Sequence, residues 1–231
     1  MKPLTDEMKN YIQYGTEDRR WEFKPSTSWV KEEKSIKFEI VKTCIALSNT
    51  INGGFIVIGI KQKRSRSKGV VFERKGLSKE QFDTFNNEDD IGRFLNGKTN
   101  QAINFEIFGG GLSIHKYKKR FILIRIYESL QPLPVVCLFD SMSSNPHCRL
   151  EKGVLYIRSK SNPIESRAIE TNEEWDEMIR RLLSRKEKIL NTDLKILCSN
   201  IKSKKPRKII KRSPTHFNFT EYDKILKRDK L

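Results

Sequence analysis

The run Phe55-Ile56-Val57-Ile58-Gly59-Ile60 constrains the fold more than any other segment. It is apolar at both odd and even positions, so it offers no face to water and reads as a central strand covered on both sides. The Asn52-Gly53-Gly54 turn opens it, and KQKRSRSK (61–68), with five Lys/Arg in eight residues, leaves the core abruptly as a basic loop. Just upstream, Ile36, Ile40, Val41, Cys44 and Leu47 recur at helical spacing, which predicts an amphipathic helix over 35–47 closed by Ser48-Asn49-Thr50.

Other elements follow from the same patterns. Residues 4–13 read as a short helix, and Trp21-Glu22-Phe23-Lys24 alternates apolar and charged as a half-buried strand does, with Glu22 and Lys24 on one face and Trp21 and Phe23 on the core side. A strand near 70–73, a helix over 79–95 and strands at 103–108, 120–127 and 135–139 come next, with GGG (109–111) and HKYKKR (115–120) marking a hairpin. A loop over 140–149, a short strand at 154–158 and a helix from Asn172 to about Asn191, striped by Trp175, Met178, Ile179 and Leu182, complete the order. Strands and helices mix without strict alternation. The expected class is therefore α+β, a mixed and mostly antiparallel sheet flanked by helices, over residues 1–184, followed by a basic C-terminal extension over 185–231.

Charge sets the partner class. The 231-residue chain carries 46 Lys/Arg against 29 Asp/Glu, a formal charge of +17. From Arg185 to Leu231 there are 15 Lys/Arg and 5 Asp/Glu, so +10 of the excess lies on the last fifth of the chain. A field of this sign favours polyanions through phosphate contacts and counterion release, with nucleic acid as the expected partner. No apolar run approaches the ~20 residues of a membrane span, and MKPLTDEMKN lacks the apolar core of a secretory signal. A soluble, cytoplasmic protein with no membrane partner is expected. Cys44, Cys137, Cys148 and Cys198 show no CxxC spacing, which predicts reduced thiols rather than a disulfide framework.

Candidate chemistry is sparse. Glu17 and Glu22 lie five residues apart, and a bend between them can bring both carboxylates to one point, where Mg²⁺ or Mn²⁺ would find oxygen ligands. The plainer reading makes Glu22 a solvated strand residue paired with Lys24. Lys24 itself is either that partner or a phosphate ligand. Gly54 and Gly59 have Walker-A spacing, but Ile60 stands where the lysine belongs and the intervening residues form a buried strand, so ATP binding is rejected. Asn49 closes a helix beside the Gly-Gly turn, where capping is its ordinary role. Residues 61–68 and 116–120, the latter with Tyr117 among four Lys/Arg, are either solvated loops or a phosphate-tracking surface. Cys137, His147 and Cys148 lack paired spacing and a fourth ligand, so no zinc is expected.

Three blocks in order carry a family resemblance. They are Glu17-xxxx-Glu22-Phe23-Lys24; Ile45-Ala46-Leu47-Ser48-Asn49-Thr50 through Gly53-Gly54 to Gly59-Ile60; and Tyr156-Ile157-Arg158-Ser159 through Asn162 and Ala168. Together they resemble the AlbA_2 domain of Schlafen-type proteins over roughly residues 10–184. The resemblance implies a nucleic-acid-binding α+β domain and, in the Schlafen branch, a metal-dependent endoribonuclease that cuts structured RNA such as tRNA. That branch uses two glutamates, matched by Glu17 and Glu22, and an aspartate just after the Gly-containing strand. Here the third position holds Gln62, or Lys61 in the other alignment, with Glu39 and Glu73 as candidate replacements. The Schlafen core also has two related lobes and this chain carries one, which implies a homodimer or higher homo-oligomer.

Two functions are in view. In the first, Glu17 and Glu22 hold Mg²⁺ or Mn²⁺ with Gln62 at the third position, Lys24 assists catalysis, and RNA is favoured over DNA. Lys61, Lys63, Arg64, Arg66, Lys116, Lys118, Lys119, Arg158, Lys204, Lys205, Arg207 and Lys208 then bind nucleic acid. In the second, the domain is a non-catalytic nucleic-acid-binding module whose basic C-terminus supplies affinity. The retained glutamate pair tilts the expectation toward the nuclease.

Overall fold

The computed structural model describes residues 1–29, 34–65, 69–141, 148–160 and 164–203. Strand β1 (Lys2–Pro3) leads into helix α1 (Asp6–Tyr14), β2 (Trp21–Lys24), helix α2 (Lys34–Ser48) and β3 (Gly54–Ile58). Helix α2 carries the chain from β2 to β3 as parallel neighbours require. On its other side β3 pairs antiparallel with β7 (Tyr117–Ile126), β7 pairs antiparallel with β6 (Phe105–Ile114), and β1 closes the far edge parallel to β6. The order is β1-β6-β7-β3-β2. The class is α+β and the sheet is mixed: its long central pairings are antiparallel, and each edge strand is joined in parallel.

The double coverage expected for the apolar run is present. Ile56 and Ile58 face α2, packing with Ile40, Val41, Cys44 and Ile45. Val57 faces the opposite layer with Phe23, Leu123, Phe121 and Ile12 of α1. The strand ends earlier than its apolar pattern suggests. Gly59 has φ +115°, and a Cβ there would sit 2.9 Å from the Phe121 ring, so the backbone breaks at a residue without a side chain. Ile60 begins a new strand.

That strand corrects the expected basic loop. β4 (Ile60–Ser65) pairs antiparallel with β5 (Gly69–Arg74), placing Lys61 to Ser65 in a two-stranded ribbon. A ribbon whose one fully buried side chain among the described residues is Ile60 has little apolar alternation to betray it. The helix expected over 79–95 is two helices, α3 (Lys79–Asp83) with a Ser78 capping box and α4 (Glu88–Asn96) capped by Asn87. The GGG run lies inside β6, and the hairpin turns at His115 and Lys116, both with positive φ (48° and 72°), as a two-residue primed turn demands. Residues 135–139 form no strand. Cys137 makes a single bridge to Thr99.

β8 (Tyr156–Arg158) finds a partner that the pattern did not suggest, β9 (Ser166–Ala168). Helix α5 (Asn172–Ser203) runs past the expected end, and its stripe divides: Met178 is buried with Leu155 and Ile157, whereas Trp175 and Ile179 are exposed. The chain separates into two units, Met1–Glu187 and Lys188–Leu231. No helix among the described residues is long and apolar enough to cross a membrane. Cys44, Cys137 and Cys148 are buried free thiols.

Asn49 does more than cap a helix. Its amide donates to Val135 O (2.7 Å) and Tyr156 O (3.2 Å), and its carbonyl oxygen accepts from Val135 N–H (2.9 Å). This side chain, 1% exposed, ties the end of α2 to an irregular segment and to β8. Replacing it by alanine leaves buried backbone groups without partners. Asn49→Ala is therefore expected to lower unfolding free energy by about 3 kcal/mol in a urea titration, and Asn49→Asp, which sets a buried carboxylate against the Val135 and Tyr156 carbonyl oxygens, is expected to lose at least as much.

Candidate nucleic-acid interface and its buried ion cluster

The bend between the two glutamates is built by Asp18. Its carboxylate accepts from Arg20 N–H (2.7 Å), Trp21 N–H (2.9 Å) and the Tyr11 hydroxyl (2.8 Å), turning the chain back into β2. Glu17 then reaches along the free edge of β2, where its Oε1 accepts the Phe23 N–H at 2.7 Å. An edge-strand donor that would otherwise face a cleft is satisfied by a carboxylate. Burial, then the Glu22 charge, push the Glu17 carboxyl up to about 7.

Glu22 and Lys24 share the α2 face of β2, as alternation requires, but neither is solvated. They are 8% and 4% exposed. Lys24 Nζ donates to Glu22 at 2.5 Å and to Glu39 of α2 at 2.6 Å. The other Glu22 oxygen is taken by Arg158 Nη1, and Arg158 Nη2 donates to Asp18 O at 2.9 Å. Burial alone would push the Glu22 carboxyl up; Lys24 and Arg158 outweigh it and hold the group below the usual carboxylate range. Burial would likewise lower the Lys24 ammonium, and Glu22 and Glu39 hold it above its ordinary value.

The cluster floors a cleft of about 1130 Å³ walled by β2, α2, the β4–β5 ribbon and β9. Glu17, Glu22, Lys24, Glu39, Lys61 and Gln62 all line it, so the structure does gather the residues that the sequence singled out. Lys42 and Thr43 of α2, Glu165 just before β9 and Ser166 of β9 line it too. They had no motif to announce them, because β9 reaches this place only through its pairing with β8.

Other predicted positions disperse. Arg158, expected on the binding surface, is 1% exposed and serves as the counterion of Glu22. Lys63 is exposed and paired with Glu73, which removes Glu73 from the cleft as a replacement acid. Lys119 donates to Arg74 O at 2.7 Å, whereas Lys116 and Lys118 are exposed at the β6–β7 tip. Arg66, Lys204, Lys205, Arg207, Lys208 and His147 lie outside the described residues, as does the side chain of Arg64.

A divalent ion fits this arrangement poorly. Both Glu22 oxygens are engaged by cations, Glu39 is committed to Lys24, and Gln62 adds no charge where the resemblance expects an acid. Among the described residues no three His, Cys, Asp or Glu side chains are grouped to hold a metal. Glu17 and Glu39 each have one carboxylate oxygen already engaged, by the Phe23 N–H and by Lys24.

The family model described as Schlafen, AlbA_2 matches residues 17–167. No curated protein matches the chain. Among solved structures, it is similar to the N-terminal domain of an ATP-dependent DNA helicase RecG-related protein from Nitrosomonas europaea, at 17% identity and a TM-score of 0.38, covering 74% of this chain and 97% of that one. It is also similar to the DIP2311 protein from Corynebacterium diphtheriae, at 12% identity and a TM-score of 0.36, covering 68% of this chain and 23% of that one.

Two outcomes follow from the cluster. Arg158→Met strips one cation from a buried carboxylate and is expected to cost about 3–5 kcal/mol in denaturant unfolding. The two glutamates should bend the pH profile in opposite senses. Glu17 holds its proton more tightly folded than unfolded, so its contribution to stability is lost as pH rises from its ordinary 4.5 to about 7. Glu22, held low, contributes stability above 4.5 that is lost as pH falls. Melting curves between pH 4 and 8 should therefore show Glu17→Gln gaining on the parent chain as pH rises, and Glu22→Gln losing to it.

Proposed function

The chain belongs to the Schlafen AlbA_2 family, and on that premise we propose that it is a nucleic-acid-binding domain that holds its ligand without a divalent metal. The observation that carries this reading is the fate of the acids. Glu22, Glu73, Glu106, Glu128, Glu174 and Glu177 are each taken up in ion pairs with lysine or arginine. Much of the negative charge is thereby neutralised inside the molecule, and the surplus of +17 is left to act on an outside partner. Lys61 on the cleft wall and Lys116 and Lys118 at the hairpin tip supply exposed cations, and the sequence run Lys204, Lys205, Arg207 and Lys208 contributes four further positive charges.

A second reading, an endoribonuclease acting on structured RNA such as tRNA, is favoured by one observation. Glu17 lines the cleft with a carboxyl near 7, the range in which a general base works best at neutral pH. Mg²⁺ or Mn²⁺ would have to draw Glu22 away from Lys24 or Arg158 in order to bind there. Pairing of two copies across their clefts would complete a clamp, and light scattering at micromolar concentration should return a mass of at least two chains.

The reading is tested by fluorescence anisotropy with labelled RNA and DNA, in EDTA and in Mn²⁺. Affinity should be equal with and without metal, and log K should fall linearly with log salt by ~0.7–0.9 per phosphate neutralised. Replacing Lys204, Lys205, Arg207 and Lys208 by alanine should flatten that slope. Binding that requires Mn²⁺, or no binding at low salt, would reject the proposal. Incubating tRNA with the chain and with Glu17→Gln tests the second reading: cleavage abolished by the substitution supports it, and intact tRNA removes it.

A further inference from the structure

The two basic hairpins, equivalent in sequence, differ in the structure. On the β4–β5 ribbon Lys63 is paired with Glu73, and Lys75 lies 3.8 Å from the same carboxylate. The β6–β7 hairpin has no acid between Glu106 and Glu128. Among the described residues Lys116 and Lys118 take part in no ion pair. Cations kept exposed and without a counterion repel one another, which an anionic partner would relieve.

The tip is also held in shape. Its ladder runs from Phe105↔Ile126 to Ile114↔Tyr117, so pairing continues to the residue beside the turn. The turn is then made by two non-glycine residues, His115 and Lys116, both at positive φ. Such a conformation costs free energy in isolation, and the ladder sustains it. Below the tip, Leu112 and Ile114 are buried in the layer of Phe121 and Ile60, and Leu77 N–H donates to Arg120 O at 2.8 Å. The hairpin therefore presents its end from a packed base.

Tyr117 stands at that end with 72% of its surface exposed, between Lys116 and Lys118. One exposed aromatic is ordinary on a protein surface. Alternation puts Tyr117 on the Ile114 face of the hairpin and Lys118 on the Ser113 face, with Lys116 in the turn between, so a strand laid over this tip meets a ring face for a base and exposed ammonium groups in the turn and on the opposite face for its phosphates. A base inside a duplex has both faces covered by its stacked neighbours, so the partner that this arrangement fits is single-stranded.

We propose that the β6–β7 tip is a single-strand contact in which Tyr117 stacks on one unpaired base while Lys116 and Lys118 hold the adjoining phosphates. The contact lies on residues that do not line the cleft, and it rests on the nucleic-acid-binding reading above. It makes the ligand bipartite, engaged at the cleft wall and at the tip.

The experiment measures anisotropy of a labelled single-stranded oligonucleotide and of the matching duplex with the full chain, Tyr117→Ala, Tyr117→Phe and the Lys116→Ala/Lys118→Ala double variant. Circular dichroism melts serve as the folding control, and an exposed side chain should leave them unchanged. Loss of one stacked base corresponds to about 5- to 150-fold weaker single-strand binding for Tyr117→Ala. Tyr117→Phe should stay within twofold of the parent chain, and the duplex should respond little to either. The double variant should lower the single-strand salt slope by ~0.7 per phosphate released, whereas Tyr117→Ala should leave it unchanged. If the parent chain binds and Tyr117→Ala binds single strands equally well, or loses single strand and duplex alike, the stacking contact is overturned and the nucleic-acid reading survives. If the parent chain binds neither oligonucleotide at low salt, that reading falls and takes the contact with it.

Discussion

The cleft side of the molecule depends on one buried carboxylate. Glu22 lies in the α2 layer, where a lone charge could not be sustained, and two cations, one from its own strand and one from 136 residues away, meet it there. Lys24 comes from the same strand and carries the charge on to Glu39 of α2. Arg158 comes from β8 and also grips the Asp18 carbonyl at the bend that precedes β2. An edge strand of four residues is thus fixed to a helix on one side and to a second small sheet on the other. Each partner removed leaves the rest buried and unbalanced, so strand, helix and β8 are coupled more tightly than their apolar contacts would make them.

The same cluster redefines two residues that look catalytic in sequence. A glutamate pair spaced as Glu17 and Glu22 invites a metal, and the expected aspartate is replaced by Gln62. In the structure Glu17 caps the exposed Phe23 N–H and Glu22 neutralises a lysine and an arginine. Each carboxylate therefore has a complete structural reason to be where it is. Their environments push them apart, one carboxyl up to about 7 and the other held low, because Glu17 has no cation bonded to it whereas Glu22 has two.

Legibility was uneven, for physical reasons. Central elements announced themselves because burial on both faces leaves an unmistakable pattern: the apolar strand and the helix that covers it are readable, whereas β2, whose alternation reads as half-buried, has Glu22 and Lys24 buried as well. The β4–β5 ribbon was not, since a two-stranded element with Lys61, Gln62 and Lys63 along it buries too little to imprint a period. The break at Gly59 was hidden by apolar residues on both sides, and the division between α3 and α4 by a charge pattern that continues through both. Arg158 read as a surface cation because sequence cannot reveal that a carboxylate lies waiting 136 residues away.

Residue chemistry by itself determined the class of fold, the central strand, the positive surplus and the family to which the chain belongs. These are properties of local pattern and of totals, and no contact is needed to read them. Tertiary structure alone decided which charges are spent and which remain. Coulomb interactions depend on separation and on exposure to water, and neither is a function of sequence distance. Lys63 and Lys118 are alike in the chain, yet one is paired with Glu73 and the other is uncompensated at a hairpin tip, because only the first has an acid on the facing strand.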